Sequence, residues 1–251
     1  MPSPVVFRAV DVPAADGTAD SYLLHPDDGT AHPGVLFFMD IFGLRPLLRE
    51  MMEPIAAQGF TVLAPNLFYR SGRAPVLPPP DPTDPQGRMT YFHASQPMLR
   101  ELAGDSAIED VRGYLDWLTT AAPTAAGPIA ITGYCMGGRL ALRAAGAFGD
   151  RLRAVASFHG GYLAVDEDKN SPHHTASSIT AEVFLAHADN DPTIPPEQIA
   201  RLEKSLATAG VRHTSVVYPN TRHAFTMRDS TAFTEAAYER HLRDLLALLH
   251  R

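Results

Sequence analysis

The chain has a single cysteine, Cys135, among 251 residues, so no disulfide can close within it. A domain of this length can bury enough apolar surface to hold without one, and a lone thiol fits a reducing compartment. Positive charge is also scarce. Lys and Arg number 21 against 28 Asp and Glu, a net charge of −7, which removes any reason to expect nucleic acid or an anionic membrane surface as partner. No run of about 18 apolar residues occurs, so no membrane-spanning helix is expected. The start, Met1-Pro2-Ser3-Pro4-Val5-Val6-Phe7-Arg8, lacks a basic stretch, an apolar core and a small-residue cleavage site. No leader peptide is expected there, and the cytoplasm is the expected compartment. Hydrophobic residues make up 45% and charged residues 20%, a balance that argues against disorder.

Short apolar runs alternate with helical stretches along most of the chain. Val35–Met39, Phe60–Ala64, Ile129–Thr132, Ala154–Phe158, Val183–His187 and Ser215–Tyr218 read as strands covered on both faces. Val5–Val10 and Ser21–Leu24 read as an antiparallel hairpin leading into the sheet. Helices are expected at Leu47–Gln58, Ser106–Thr119, Gly138–Phe148, Pro196–Ala207 and Thr231–His250. Pro54 should kink or break the first of these. The pattern implies a single three-layer α/β domain over 1–251, with a mainly parallel central sheet and helices on both faces. Residues 70–86 carry Pro75, Pro78, Pro79, Pro80, Pro82 and Pro85. They read as a stiff extended loop and as a candidate wall or lid over a site.

Gly133-Tyr134-Cys135-Met136-Gly137-Gly138 follows one predicted strand directly and opens a helix at Gly138. A free cysteine is ordinarily a small buried hydrophobe. Glycines two residues to either side, on a strand–turn–helix, instead make this a nucleophile elbow, a strained turn that crowds its neighbours. The helix N-terminus favours a thiolate, and the N–H of Met136 points where an oxyanion would form. Neither a phosphate-binding loop nor a dinucleotide fingerprint fits the run.

Elbow nucleophiles are followed along the chain by an acid and then a histidine. Asp189 and Asp191 both follow a predicted strand, and Asp191 is preferred because it stands just before Ile194-Pro195. Of His213, His223, His241 and His250, only His223 falls in a loop after a strand. A metal site of His187, Asp189 and Asp191, with His173 and His174, is a rival reading. A hydrolase-like fold that binds a lactone without turnover is another. His159-Gly160-Gly161 is similar to a lipase oxyanion loop but lies after the nucleophile, so His159 reads as a residue lining the pocket.

These motifs resemble the dienelactone hydrolase family, a cysteine-using branch of the α/β-hydrolases. The likeness also takes in Asp40-Ile41-Phe42-Gly43, Ala64-Pro65-Asn66-Leu67-Phe68-Tyr69-Arg70 and the stretch Tyr218-Pro219 to His223-Ala224-Phe225. It implies an α/β-hydrolase fold and a Cys135–His223–Asp191 triad cleaving a small ester or enol-lactone. The N–H groups of Ile41 and Met136 would form the oxyanion hole. Asp40 would stand where the family has a glutamate that modulates the thiol. Tyr134, His159, Arg88, Arg228 and Phe225 are candidate substrate contacts, and Met227 occupies a position where the family has a carboxylate-binding arginine. Neither cofactor nor metal is expected, and the chain is expected to be a monomer or homodimer.

Overall fold

The computed structural model describes residues 4–251. Met1, Pro2 and Ser3, the first part of the segment read as lacking a leader, lie outside the described residues. The chain forms two compact units that divide after Ile129.

In the first unit, β1 (Val5–Ala14) and β2 (Gly17–Pro26) form the expected antiparallel hairpin, from Val5 opposite Pro26 to Ala14 opposite Gly17. β2 pairs antiparallel with β4 (Thr61–Pro65), which runs parallel to β3 (Gly34–Phe38). All residues of β3 and β4 are buried, as their unbroken apolar runs require of strands covered on both sides.

α1 (Pro46–Ala56) buries Leu48, Met51, Met52, Ile55 and Ala56, the three-and-four spacing of one face. It runs through Pro54 rather than breaking there, because a proline in the last turn forfeits only one backbone donor. A second helix, α2 (Pro85–Ala103), was not expected. It starts inside the proline-rich stretch, with Pro85 in the first turn and the Asp84 carboxylate accepting from Gln86 N–H at 3.0 Å. Prolines that read as loop therefore end in a helix start, and the segment expected over 70–86 opens in a 3-10 turn (Tyr69–Ser71) and is irregular only from Gly72 to Asp84. α3 (Ser106–Thr120) agrees with its periodicity.

The motif after β4 does structural work. Asn66 donates to Asp20 Oδ1 at 2.9 Å and to Gly72 O at 3.0 Å. Tyr69 donates to Asp110 Oδ1 at 2.8 Å, and Arg70 clamps Asp110 at 2.5 and 3.0 Å while also binding Asp16. The Asp110 carboxylate thereby ties α3 to the β1–β2 turn, where it also accepts from Ala15 N–H at 3.0 Å.

The second unit holds β5 (Ile129–Tyr134) from its second residue on, α4 (Met136–Phe148), β6 (Leu152–Phe158), β7 (Glu182–Asn190), α5 (Pro196–Thr208), β8 (His213–Arg222) and α6 (Glu235–Leu249). Its strands lie in the order β5-β6-β7-β8, with β6–β7 and β7–β8 parallel. α4 begins at Met136, two residues before the expected Gly138, and α6 begins at Glu235 instead of Thr231. Residues at or just beyond the carboxyl ends of β5, β6, β7 and β8 are Cys135, His159, Asp191 and His223, the end of such a sheet where ligand sites form. No helix among the described residues is long and apolar enough to cross a membrane.

Candidate active site

Cys135 is the residue between β5 and α4, and its backbone shows why glycines surround it. Its φ of 56° and ψ of −120° lie in a region costing a side-chain-bearing residue of order 1–3 kcal/mol. A Cβ on Gly133 would lie 2.1 Å from the Gly137 carbonyl oxygen, and one on Gly138 would lie 2.4 Å from Ser157 Oγ. The turn is therefore open only to glycine at those points. Cys135 N–H donates to Phe158 O at 3.1 Å, and Cys135 O accepts the first bonds of α4. Met136 N–H belongs to the first turn of α4, whose donors have no partner inside the helix.

His223 follows β8 and faces the half-buried thiol, with its Nε2 3.0 Å from Cys135 Sγ. Its Nδ1 stands 2.7 Å from Asp191 Oδ2. Burial pushes the His223 pKa down, but the adjacent Cys135 and Asp191 outweigh it and hold the pKa up at about 10. Burial likewise raises Asp191, yet hydrogen bonds from His223 and Thr193 bring it below the usual carboxylate value. The Cys135 and Asp191 contacts together favour the charged imidazolium at His223. Asp189, the other candidate acid, binds Asn220 N–H at 3.0 Å instead.

Three of the predicted substrate contacts are fully buried. His159 has a φ of 40° and places its ring edge against His223, centroids 5.2 Å apart. Its Nε2 is 2.8 Å from Thr226 Oγ1, and its Nδ1 is buried without a hydrogen-bond partner. Burial, then the nearby His223, keep His159 neutral. Phe225 packs edge-on against His159, and the Tyr134 hydroxyl lies 2.8 Å from His241 Nε2. With no exposed surface, these three side chains support the loops from beneath; a substrate would reach them only after a rearrangement. Met227, too, is fully buried.

The arginines are mostly committed elsewhere. Arg45 grips both oxygens of buried Asp40, at 2.6 and 3.1 Å. Arg70 holds Asp110 and Asp16. Exposed Arg228 pairs with Glu235 at 2.9 Å and lies over the Tyr238 ring. Arg88 is exposed on α2. Ile41, directly after Asp40, accepts a hydrogen bond on its carbonyl from Tyr91 at 3.1 Å.

The metal reading finds no support in the geometry. Among the described residues, no group of three or more His, Cys, Asp or Glu is placed to hold an ion. Both ring nitrogens of His187 are buried without hydrogen-bond partners, and His173 instead meets Ser171 at 3.0 Å and Asp166 at 3.2 Å. Sequence reasoning missed Thr193 and Thr226, which touch Asp191 and His159. Only Thr193 had a local signal, since Asp-x-Thr is a turn pattern in which the first residue caps the third.

The sequence profile of the dienelactone hydrolase family matches residues 19–251. The chain belongs to the dienelactone hydrolase family. Among relatives, it is 29% identical to a carboxymethylenebutenolidase of Rhodococcus opacus over 205 residues, 81% of this chain and 74% of the relative. It is 25% identical to carboxymethylenebutenolidase 1 of Cupriavidus pinatubonensis over 221 residues, 88% and 86% of the two chains. Its structure superimposes on a Klebsiella pneumoniae protein bearing the dienelactone hydrolase name with a TM-score of 0.86, covering 99% of this chain and 100% of that one at 21% identity. The fold is that of the α/β-hydrolases, as the elbow and the alternating elements predicted. For a dienelactone hydrolase family member, the residue at the elbow is the expected place to look for chemistry, and here it is the chain's one thiol.

Proposed function

We propose that this dienelactone hydrolase family member cleaves small carboxylic esters or lactones through a thioester on Cys135. The observation that carries the reading is the hydrogen-bonded chain Cys135–His223–Asp191, with contacts of 3.0 and 2.7 Å. Both distances lie within reach of direct proton transfer. Relatives named for the lactone carboxymethylenebutenolide support the substrate class.

In this mechanism the Cys135 thiolate attacks the carbonyl carbon, and the C=O electron pair moves to oxygen. The N–H of Met136, and by family resemblance that of Ile41, donate to the oxyanion, each worth about 10²–10³ in rate. The tetrahedral intermediate collapses, the C–O bond to the leaving group breaks, and the His223 imidazolium gives that oxygen its proton. Water then adds to the thioester as neutral His223 takes its proton, and collapse releases the acid and restores the thiolate. From a lactone, the product is one hydroxy acid. Asp191 keeps His223 in one tautomer and stabilises its cation. The role assigned by resemblance to Asp40, modulation of the thiol, would be exerted by a carboxylate already bound at both oxygens by Arg45.

Hydrolysis of a p-nitrophenyl ester tests the reading. Alkylation of Cys135, or Cys135→Ala, should lower kcat/KM at least about 10³-fold, as loss of a nucleophile does elsewhere. Full activity in either preparation would remove the mechanism.

A further inference from the structure

The Gly160-Gly161 pair takes no direct part in the proposed chemistry, yet it leads to a residue that does influence it. We infer that Thr193 is a positioning residue for the Asp191–His223 pair, held in place by the Gly161–Tyr162 turn. Its effect on turnover rests on the hydrolase reading; its effect on the thiol does not.

Asp191 Oδ1 accepts two hydrogen bonds from Thr193, one from N–H at 2.9 Å and one from the hydroxyl at 2.7 Å. Two donors on one oxygen keep the carboxylate from rotating and leave Oδ2 aimed at His223 Nδ1. Thr193 Oγ1 also stands 3.4 Å from that nitrogen. The threonine is itself braced. Its carbonyl accepts from Tyr162 N–H at 2.8 Å. A Cβ on Gly161 would lie 2.5 Å from Thr193 Oγ1 and 2.8 Å from its Cβ, so only glycine lets the turn press this close. Tyr162 accepts a φ of 55° to make the contact, the kind of strain retained where surroundings enforce it.

The other titratable groups facing the pair are Cys135 from the elbow, His159 from the end of β6 and His187 from β7. Burial keeps both histidines neutral. With Cys135 on its other ring nitrogen, Asp191 is the partner whose orientation adjusts how strongly His223 retains its proton, and Thr193 sets that orientation.

Cys135 is the only cysteine, so its alkylation by iodoacetamide can be read on the intact mass of the whole chain as a function of pH. Measurements on the parent, Thr193→Val, Thr193→Ser and Gly161→Ala test the inference. Valine keeps the shape and the backbone donor but loses the hydroxyl. The midpoint of the alkylation curve should rise by about one pH unit, a scale set by loss of one hydrogen bond to a charged group. Gly161→Ala should move it in the same direction, and Thr193→Ser should return it to the parent's position. A Thr193→Val curve superimposed on the parent's, or a Thr193→Ser curve displaced as far as valine's, would overturn the inference. Alkylation needs no ester substrate. These shifts in a protein that turns over no ester would thus uphold the role of Thr193 while contradicting the hydrolase reading.

Discussion

At the scale of single residues, the non-glycine residues with positive φ among the described residues are Cys135, His159, Tyr162, Asn220 and Ala224. All five lie in the second unit, in or beside the loops that carry the thiol, the acid and the base. Backbone strain collects where the surroundings dictate geometry rather than where the chain is free to relax. The ionic state of His223 follows from the same crowding, since Cys135 and Asp191 approach it from opposite ring nitrogens. Cys135→Ser tests the coupling. A serine hydroxyl does not ionise in the accessible range, so the His223 pKa, held up at about 10, should fall toward its ordinary value, and the esterase rate should drop with it. Ring titration by NMR measures the first effect; an unchanged His223 midpoint would contradict it. The lone thiol was legible because its glycines are its sequence neighbours. Thr226, buried against His159, was not, because that contact joins residues 67 positions apart and leaves no local pattern.

At the scale of elements, the buried strands were the most legible parts, each an apolar run bounded by turn residues. α2 was hidden because Pro85 opens it from a proline-rich stretch, Pro97 lies inside it, and the exposed Met89 and Phe92 blur the buried face formed by Tyr91, Ser95, Met98 and Leu102. The commitments of Arg45 and Arg70 were equally illegible, since a charge read from sequence gives no hint of its partner. Their consequence is measurable. Asp110 is buried, and its two oxygens hold Tyr69, Arg70 and the β1–β2 turn. Asp110→Asn leaves the half-buried Arg70 charge with only the exposed Asp16 and should cost about 1–3 kcal/mol, the range for leaving a largely buried polar group without its partner. Thermal or urea unfolding reads that loss, and a change under about 0.5 kcal/mol, the range of ordinary surface substitutions, would refute the structural role given to this cluster.

At the scale of the whole molecule, function reduces to the proton inventory of one short chain of groups. His223 has a raised pKa, so its charged form is present at neutral pH and is lost as pH climbs through about 10. Asp191 has a lowered pKa, so it stays ionised until pH falls below the usual carboxylate range. The kcat/KM profile should therefore hold through neutral pH and decline on the alkaline side near 10, well above an ordinary histidine. An acid limb near 6.5, with the rate rising as His223 loses its proton, would show that His223 works as a neutral base instead. The order nucleophile, acid, histidine was readable along the chain, and the structure brings those three together; the bracing around them was not readable. The most direct test of the central claim is intact-mass analysis of protein quenched within the first turnovers of a p-nitrophenyl ester. One acyl group per chain is expected, located on Cys135 by peptide mapping and absent after alkylation. Turnover with no acyl group on Cys135 at any quench time, and undiminished by its alkylation, would contradict it.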